Sequence, residues 1–255
     1  MVVAREPALR FVLYSEDRDE RALETLEHLL RGMLKLIVPA AKTNHLAFEP
    51  VLPTDTKIHG NHWKTRDSVR DAQRLRRKLI AAVATELLRG RVVFFHIDAD
   101  AVWADVKREQ CENKREHWPR FCRDVLTTCS HGKGTNVFAS VEMLEQVLIL
   151  AMPAYEVESW AFANTTRLRE LLRDERDLAA LAGWENDLGG LDECEHTKEL
   201  LSIGDAHNAE LVQTRCGFPA EELARVPKSY AATVARLRGS PSVMRGLAEA
   251  AERPF

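Results

Sequence analysis

The stretch 91-RVVFFHIDAD-100 decides how the rest of the chain is read. Residues 92–97 are β-branched or aromatic apart from His96, a run of the length and composition of a strand buried on both faces. The run then delivers Asp98 and Asp100 with only Ala99 between them. A buried strand gains nothing from two carboxylates at its end, so these residues call for a reason other than packing.

Working outward, residues 10–15 (RFVLYS) predict another short strand. Residues 18–34 carry Leu23, Leu26, Leu29, Leu30 and Leu34 at helical spacing, with Ser15 or Asp17 as the cap. Residues 38–63 hold Pro39, Pro50 and Pro53 and read as loop with one strand at 46–52. Residues 66–89 predict a strong helix closed by Gly90. Residues 103–129 predict a charged helix broken near Pro119, and Gly132 and Gly134 mark a loop. VLILAM at 147–152 predicts a further buried strand, ended by Pro153, and a helix begins within 155-YEVESWAFAN-164. From about residue 165 every segment reads as helix, with breaks at Gly183, Gly189, Gly190, Gly204, Pro219 and Pro227. Strands that alternate with helices predict an α/β fold, a parallel sheet covered on both faces. We place it at residues 8–165, followed by an all-helical extension at 166–255.

Composition narrows the class. With 45% hydrophobic and 29% charged residues the chain matches an ordinary globular protein, and no apolar run approaches the ~20 residues that span a bilayer. The N-terminal MVVAREPALR lacks the apolar core of a signal peptide, so a cytoplasmic location is expected. Five scattered cysteines without a CxxC fit reduced thiols rather than a disulfide framework or a cysteine zinc site. A net charge of −3 excludes a uniformly basic DNA-coating surface. Nucleic acid would have to meet a local basic patch, or a metal that inverts the sign of an acidic pocket.

In open parallel sheets, ligand sites form at the carboxyl ends of the strands. That rule gathers Glu16, with Asp19 and Glu20 one turn on, Asp98 and Asp100, and Glu156 and Glu158 along one edge. Carboxylates so close repel one another unless a cation sits among them or some are protonated. Mg²⁺ commonly takes one or two carboxylates and completes its shell with water and substrate phosphate. Two such ions about 4 Å apart can polarise a phosphodiester and activate water for in-line attack.

VLYSEDRDERAL followed by VVFFHIDAD resembles the Toprim domain, the metal-binding module of topoisomerases, primases and overcoming-lysogenization-defect nucleases. Glu16 matches the glutamate after that family's first strand, Asp98 and Asp100 match its DxD, and Glu20 matches a second acidic residue four positions on. Asp17 stands where the family usually has glycine. MPAYEVESWAFAN, with Glu158 and Trp160, is similar to a motif of small stand-alone Toprim-like proteins encoded beside ABC-type ATPases in bacterial systems linked to anti-phage defence. The resemblance covers roughly residues 10–165. It implies Glu16 as metal ligand or general acid/base, Asp98 and Asp100 as ligands, and Glu20 and Glu158 completing a second metal position. It further implies a Mg²⁺- or Mn²⁺-dependent nuclease acting on DNA or RNA, a defence effector held in check by an ABC-type ATPase partner.

Other residues complete the expectations. Arg66, Arg70, Arg74 and Arg77 recur at helical spacing and suit a phosphate backbone. Lys133 in HGKGT, on an expected glycine-flanked loop, is a further phosphate contact, although the motif lacks the full phosphate-loop pattern. His59 and His62 lack further ligands for zinc. His96 is expected to be a buried, hydrogen-bonded histidine, and the five tryptophans packing anchors, with Trp103 a candidate stacking platform. The competing expectation is a non-catalytic binding subunit of an ATPase-containing assembly, docked through the helical extension, and a homo-oligomer is compatible with either.

Overall fold

The computed structural model describes residues 6–16, 20–52, 60–64, 70–99, 116–133, 137–194, 197–226 and 228–254. Asp17, Asp19, His59, Arg66, Asp100 and Trp103 therefore lie outside the described residues.

Strand β1 (Leu9–Ser15) leads into helix α1 (Glu20–Ile37), β2 (Leu46–Pro50), a 3-10 turn (Gly60–Trp63) and α2 (Arg70–Leu88). Then follow β3 (Val92–His96), α3 (Trp118–Lys133), α4 (Val141–Glu145) and β4 (Leu148–Ala151). The helical region comprises α5 (Glu158–Ala161), α6 (Thr165–Leu171), α7 (Glu175–Asn186), α8 (Thr197–Leu200), α9 (Asn208–Leu211), α10 (Ala220–Arg225), α11 (Ser229–Arg238) and α12 (Pro241–Glu252). The strands form a four-stranded sheet in the order β2-β1-β3-β4, each neighbour parallel. The expected α/β class is thus observed.

Alternation divides the sheet residues between two cores. Phe11, Leu13, Val92, Phe94, Ile149 and Ala151 pack on one face with α1 and the helical region. Val12, Tyr14, Val93, Phe95, Ile97, Ala99, Leu148 and Leu150 pack on the other with α2, α3 and α4. The helical region is built onto the sheet rather than appended to it: Leu211, Tyr230, Leu237, Val243 and Leu247 share one core with β1 and α1. Gly246 of α12 lies so close to β1 that a Cβ there would stand 2.7 Å from that of Leu9.

Two local readings are corrected, and a third is met over its described residues. Pro119 does not break its helix; it occupies the first turn of α3, where a missing N–H costs nothing. Gly132 and Lys133 are not loop but the last two residues of α3. The helix expected at 66–89 is described from Arg70 and ends on Gly90, whose φ of 77° supplies the left-handed close.

Candidate functional site

The strand order makes β1 and β3 the point where the chain turns from one side of the sheet to the other. Loops that follow such strands part and leave a crevice at their carboxyl ends. Ser15 and Glu16 end β1 there, and His96, Ile97 and Asp98 end β3. Ser15 is level with His96 in the sheet, and the Glu16 amide donates to the His96 carbonyl at 3.1 Å.

That register decides which way the side chains go. Ile97 and Ala99 stay in the core under α2 and α3, so Asp98, between them, falls with His96 on the face of α1 and the helical region. Glu16 falls on the opposite face. There its Oε1 meets Lys64 Nζ at 3.0 Å, with both side chains less than a fifth exposed. Lys64 follows Trp63, a fully buried member of the α2–α3 core. Gly60 starts the turn that delivers Lys64, and it presses on the strand end: a Cβ at Gly60 would lie 1.8 Å from the Ser15 carbonyl oxygen. Only a residue without a side chain permits that approach.

On the other face, His96 is fully buried. Its Nδ1 lies 3.1 Å from the Ser15 hydroxyl and its Nε2 3.0 Å from Asp98 Oδ1. The second contact is bent away from the line of a straight hydrogen bond. Glu158 opens α5 and is 6% exposed. Its Oε1 accepts from Asn208 Nδ2 at 2.7 Å. Burial pushes the Glu158 carboxyl up to about 7, and the charges of Asp98 and Glu156 add to the rise. When ionised, Glu158 only accepts, and the Asn208 amide then turns its nitrogen toward it. Asn208 Oδ1 is then buried with no hydrogen-bond partner among the described residues.

The expected single cluster is therefore redistributed. Asp98 and Glu158 come within electrostatic reach of each other, while Glu16 is turned to Lys64. Among the described residues no three His, Cys, Asp or Glu side chains group closely enough to hold a metal ion. Glu20 is exposed at the first turn of α1, a position where the helix dipole favours an acidic side chain. Arg70 opens α2, and Arg74, one turn on, is exposed and pairs with Asp71 at 3.3 Å. The first turns of α2 lie at the carboxyl edge of the sheet, the same edge as Glu16. Lys133 does not: α3 runs back from that edge, and its last residue is about 22 Å along the axis from its first. His96 is buried and hydrogen-bonded as expected, and Trp63, Trp118, Trp160 and Trp184 are buried anchors. Trp160 Nε1 donates to Ser229 Oγ at 2.7 Å, tying α5 to α11.

Lys64 and Asn208 were not singled out in the sequence, and Ser15 was read only as a cap candidate at the end of its strand. Nothing in the spacing of Lys64 or Asn208 marks them, because each reaches the edge through tertiary packing. Comparison with protein-family models, with curated proteins and with solved structures found no match for the chain. No helix among the described residues is long and apolar enough to cross a membrane.

Do the residues fit a divalent ion? A hard cation takes carboxylate and amide oxygens. Asp98, Glu158 and Asn208 Oδ1 are donors of that class, and the Glu158 carboxyl, raised chiefly by burial, is raised further by the charges of Asp98 and Glu156. They fit.

Proposed function

We propose that the protein is a divalent-metal-dependent phosphodiesterase acting on DNA or RNA. Asp98 and Glu158 would hold Mg²⁺ or Mn²⁺, with Asn208 Oδ1 as a neutral third donor and Asp100 as the ligand expected beyond the described residues. A bound ion supplies Lewis-acid polarisation of the phosphate and an activated water. The chain's own residues supply the rest. Asp98 and Glu158 fix the position of the scissile phosphate at the sheet edge. Lys64, across the edge, neutralises Glu16, so that this carboxylate does not repel the phosphate. Arg74 and Arg77, exposed on α2, track the flanking backbone.

The observation that carries this reading is the Asp98–Glu158–Asn208 group. Glu158, raised to about 7 chiefly by its burial, also feels the charge of Asp98, and it bonds the amide of Asn208, whose oxygen is buried with no partner among the described residues. Burying such groups without a ligand is costly, and a hard cation would offset the cost. The proposed setting, a defence effector controlled by an ABC-type ATPase, rests on the Toprim resemblance alone.

The test is direct. The purified chain is incubated with plasmid, single-stranded DNA and total tRNA, in Mg²⁺, in Mn²⁺ and in chelator. Metal-dependent cleavage that Asp98→Ala abolishes supports the proposal. A second reading, the non-catalytic binding subunit, is favoured by one observation: Glu16 is already neutralised by Lys64. Absence of both cleavage and Asp98-dependent metal binding, with the ATPase partner present, decides for it.

A further inference from the structure

Ser15, His96 and Asp98 lie in series at the end of the β1–β3 pair, Oγ to Nδ1 at 3.1 Å and Nε2 to Oδ1 at 3.0 Å. The residue types are those of a hydrolytic triad, and the first question is whether Ser15 is a nucleophile. It is not placed for it. Ser15 is 4% exposed and His96 fully buried, whereas a nucleophile must reach its substrate. The only member with appreciable exposure is Asp98, its side chain 18% exposed. The series therefore points outward: the buried end supports and the exposed end acts.

We propose that His96 is a positioning residue for Asp98, and that Ser15 fixes the ring of His96. A ring nitrogen 3.0 Å from a carboxylate oxygen must carry its proton, since a lone pair there would face a negative oxygen. In the neutral ring Nδ1 is then the acceptor, and the Ser15 hydroxyl donates to it. The hydroxyl thus selects the tautomer that presents an N–H to Asp98. The strand register sets the series, because Ser15 and His96 are level neighbours on adjacent parallel strands and share a face. The bent Nε2–Oδ1 contact is the one that straightens when Asp98 takes up its ligand; such contacts tighten in the assembled complex. Ligand carboxylates held by a second group gain in metal affinity, and losing that group costs roughly ten- to a hundred-fold. This inference rests on the reading of Asp98 as a metal ligand.

Mn²⁺ affinity, measured by calorimetry and by electron paramagnetic resonance of the free ion, tests it on the full chain. His96→Leu is expected to weaken binding roughly ten- to a hundred-fold. His96→Gln, whose amide can reach the position of Nε2, is expected to restore most of it. Ser15→Ala should fall between the two. Thermal melts in chelator report folding, and His96→Gln against wild type keeps the comparison open if His96→Leu fails to fold. Wild-type binding that Asp98→Ala removes, but that His96→Leu and Ser15→Ala leave unchanged, overturns the positioning role alone. Equal loss in His96→Gln and His96→Leu at unchanged melting temperature also overturns it, because the donor would then not matter. No Asp98-dependent Mn²⁺ binding in the wild type overturns both this inference and the metal reading beneath it.

Discussion

Glu158→Gln is expected to stabilise the protein, and only above the pH at which glutamate ionises in the unfolded chain. Burial, aided by Asp98 and Glu156, pushes its carboxyl from 4.5 up to about 7. Between the unfolded and folded values the native state holds a proton that the unfolded chain has lost, so stability falls as pH rises through this window. Each pH unit of the rise is worth about 1.4 kcal/mol, which puts the burden of the ionised carboxylate at about 3 kcal/mol by pH 8. Glutamine keeps the Oε1 that accepts from Asn208 Nδ2 and has no charge to bury. The variant should gain about 3 kcal/mol at pH 8 and almost nothing at pH 4. In a chain of this size that is a rise in Tm of about 6–12 °C at pH 8. The assay is thermal unfolding of both proteins in chelator from pH 4 to pH 8.5; other carboxylates titrate equally in the two and cancel. A difference that stays constant across the range, or a variant less stable at pH 8, refutes the reasoning. Mn²⁺ added at pH 8 should narrow the gap by stabilising the wild type alone.

Lys64→Met leaves Glu16 in a largely enclosed site without its cation and should cost about 3 kcal/mol, most of it recovered in the Lys64→Met/Glu16→Gln double variant; a denaturation cycle measures this. Gly60→Ala drives a methyl group into the Ser15 carbonyl and should cost more than about 4 kcal/mol or prevent folding, as a melt would show. Glu16→Ala should leave Mn²⁺ affinity within about twofold, since Glu16 is held on the other face, whereas Asp98→Ala should lower it at least about tenfold; calorimetry separates them. Arg74→Glu with Arg77→Glu should weaken binding to single-stranded nucleic acid and flatten the salt dependence by about one per lost phosphate contact, read by fluorescence anisotropy across salt concentrations.

How far the chain could be read depended on how local each signal was. The apolar runs at 10–15, 92–97 and 147–152 became β1, β3 and β4 with shifts of a residue at most, because a strand buried on both faces must be apolar at every position. His96 was legible as buried for the same reason. The errors at Pro119 and at Gly132–Lys133 come from residues that break a helix in its middle but are tolerated in its first and last turns. The site was legible only in part. Acidic residues at strand ends could be read from the chain, and the parallel topology gathers them at one edge. Lys64 and Asn208 could not, since one sits in the β2–α2 connection and the other on a four-residue helix.

The face on which each carboxylate lies is the point that a linear reading could not reach, and it has a chemical consequence. Had β1 and β3 paired one residue differently, Glu16 would be level with His96 and would share its face with Asp98. The observed register makes Glu16 level with Ile97 instead, and Ile97 is locked in the α2–α3 core. One ion could bridge Glu16 and Asp98 only by pulling Glu16 from Lys64 across the strand end. The arrangement that keeps both pairs intact puts the Glu16–Lys64 ion pair on one side of the crevice, with the exposed Arg74 and Arg77 beyond it, and oxygen donors on the other. A phosphodiester is an anion with two faces to satisfy. On the proposed reading, one laid across the β1–β3 switch point would meet metal-holding oxygen donors on one side and, on the other, a carboxylate whose charge Lys64 already offsets, so that repulsion from Glu16 does not oppose the negative oxygens of a phosphorus undergoing substitution.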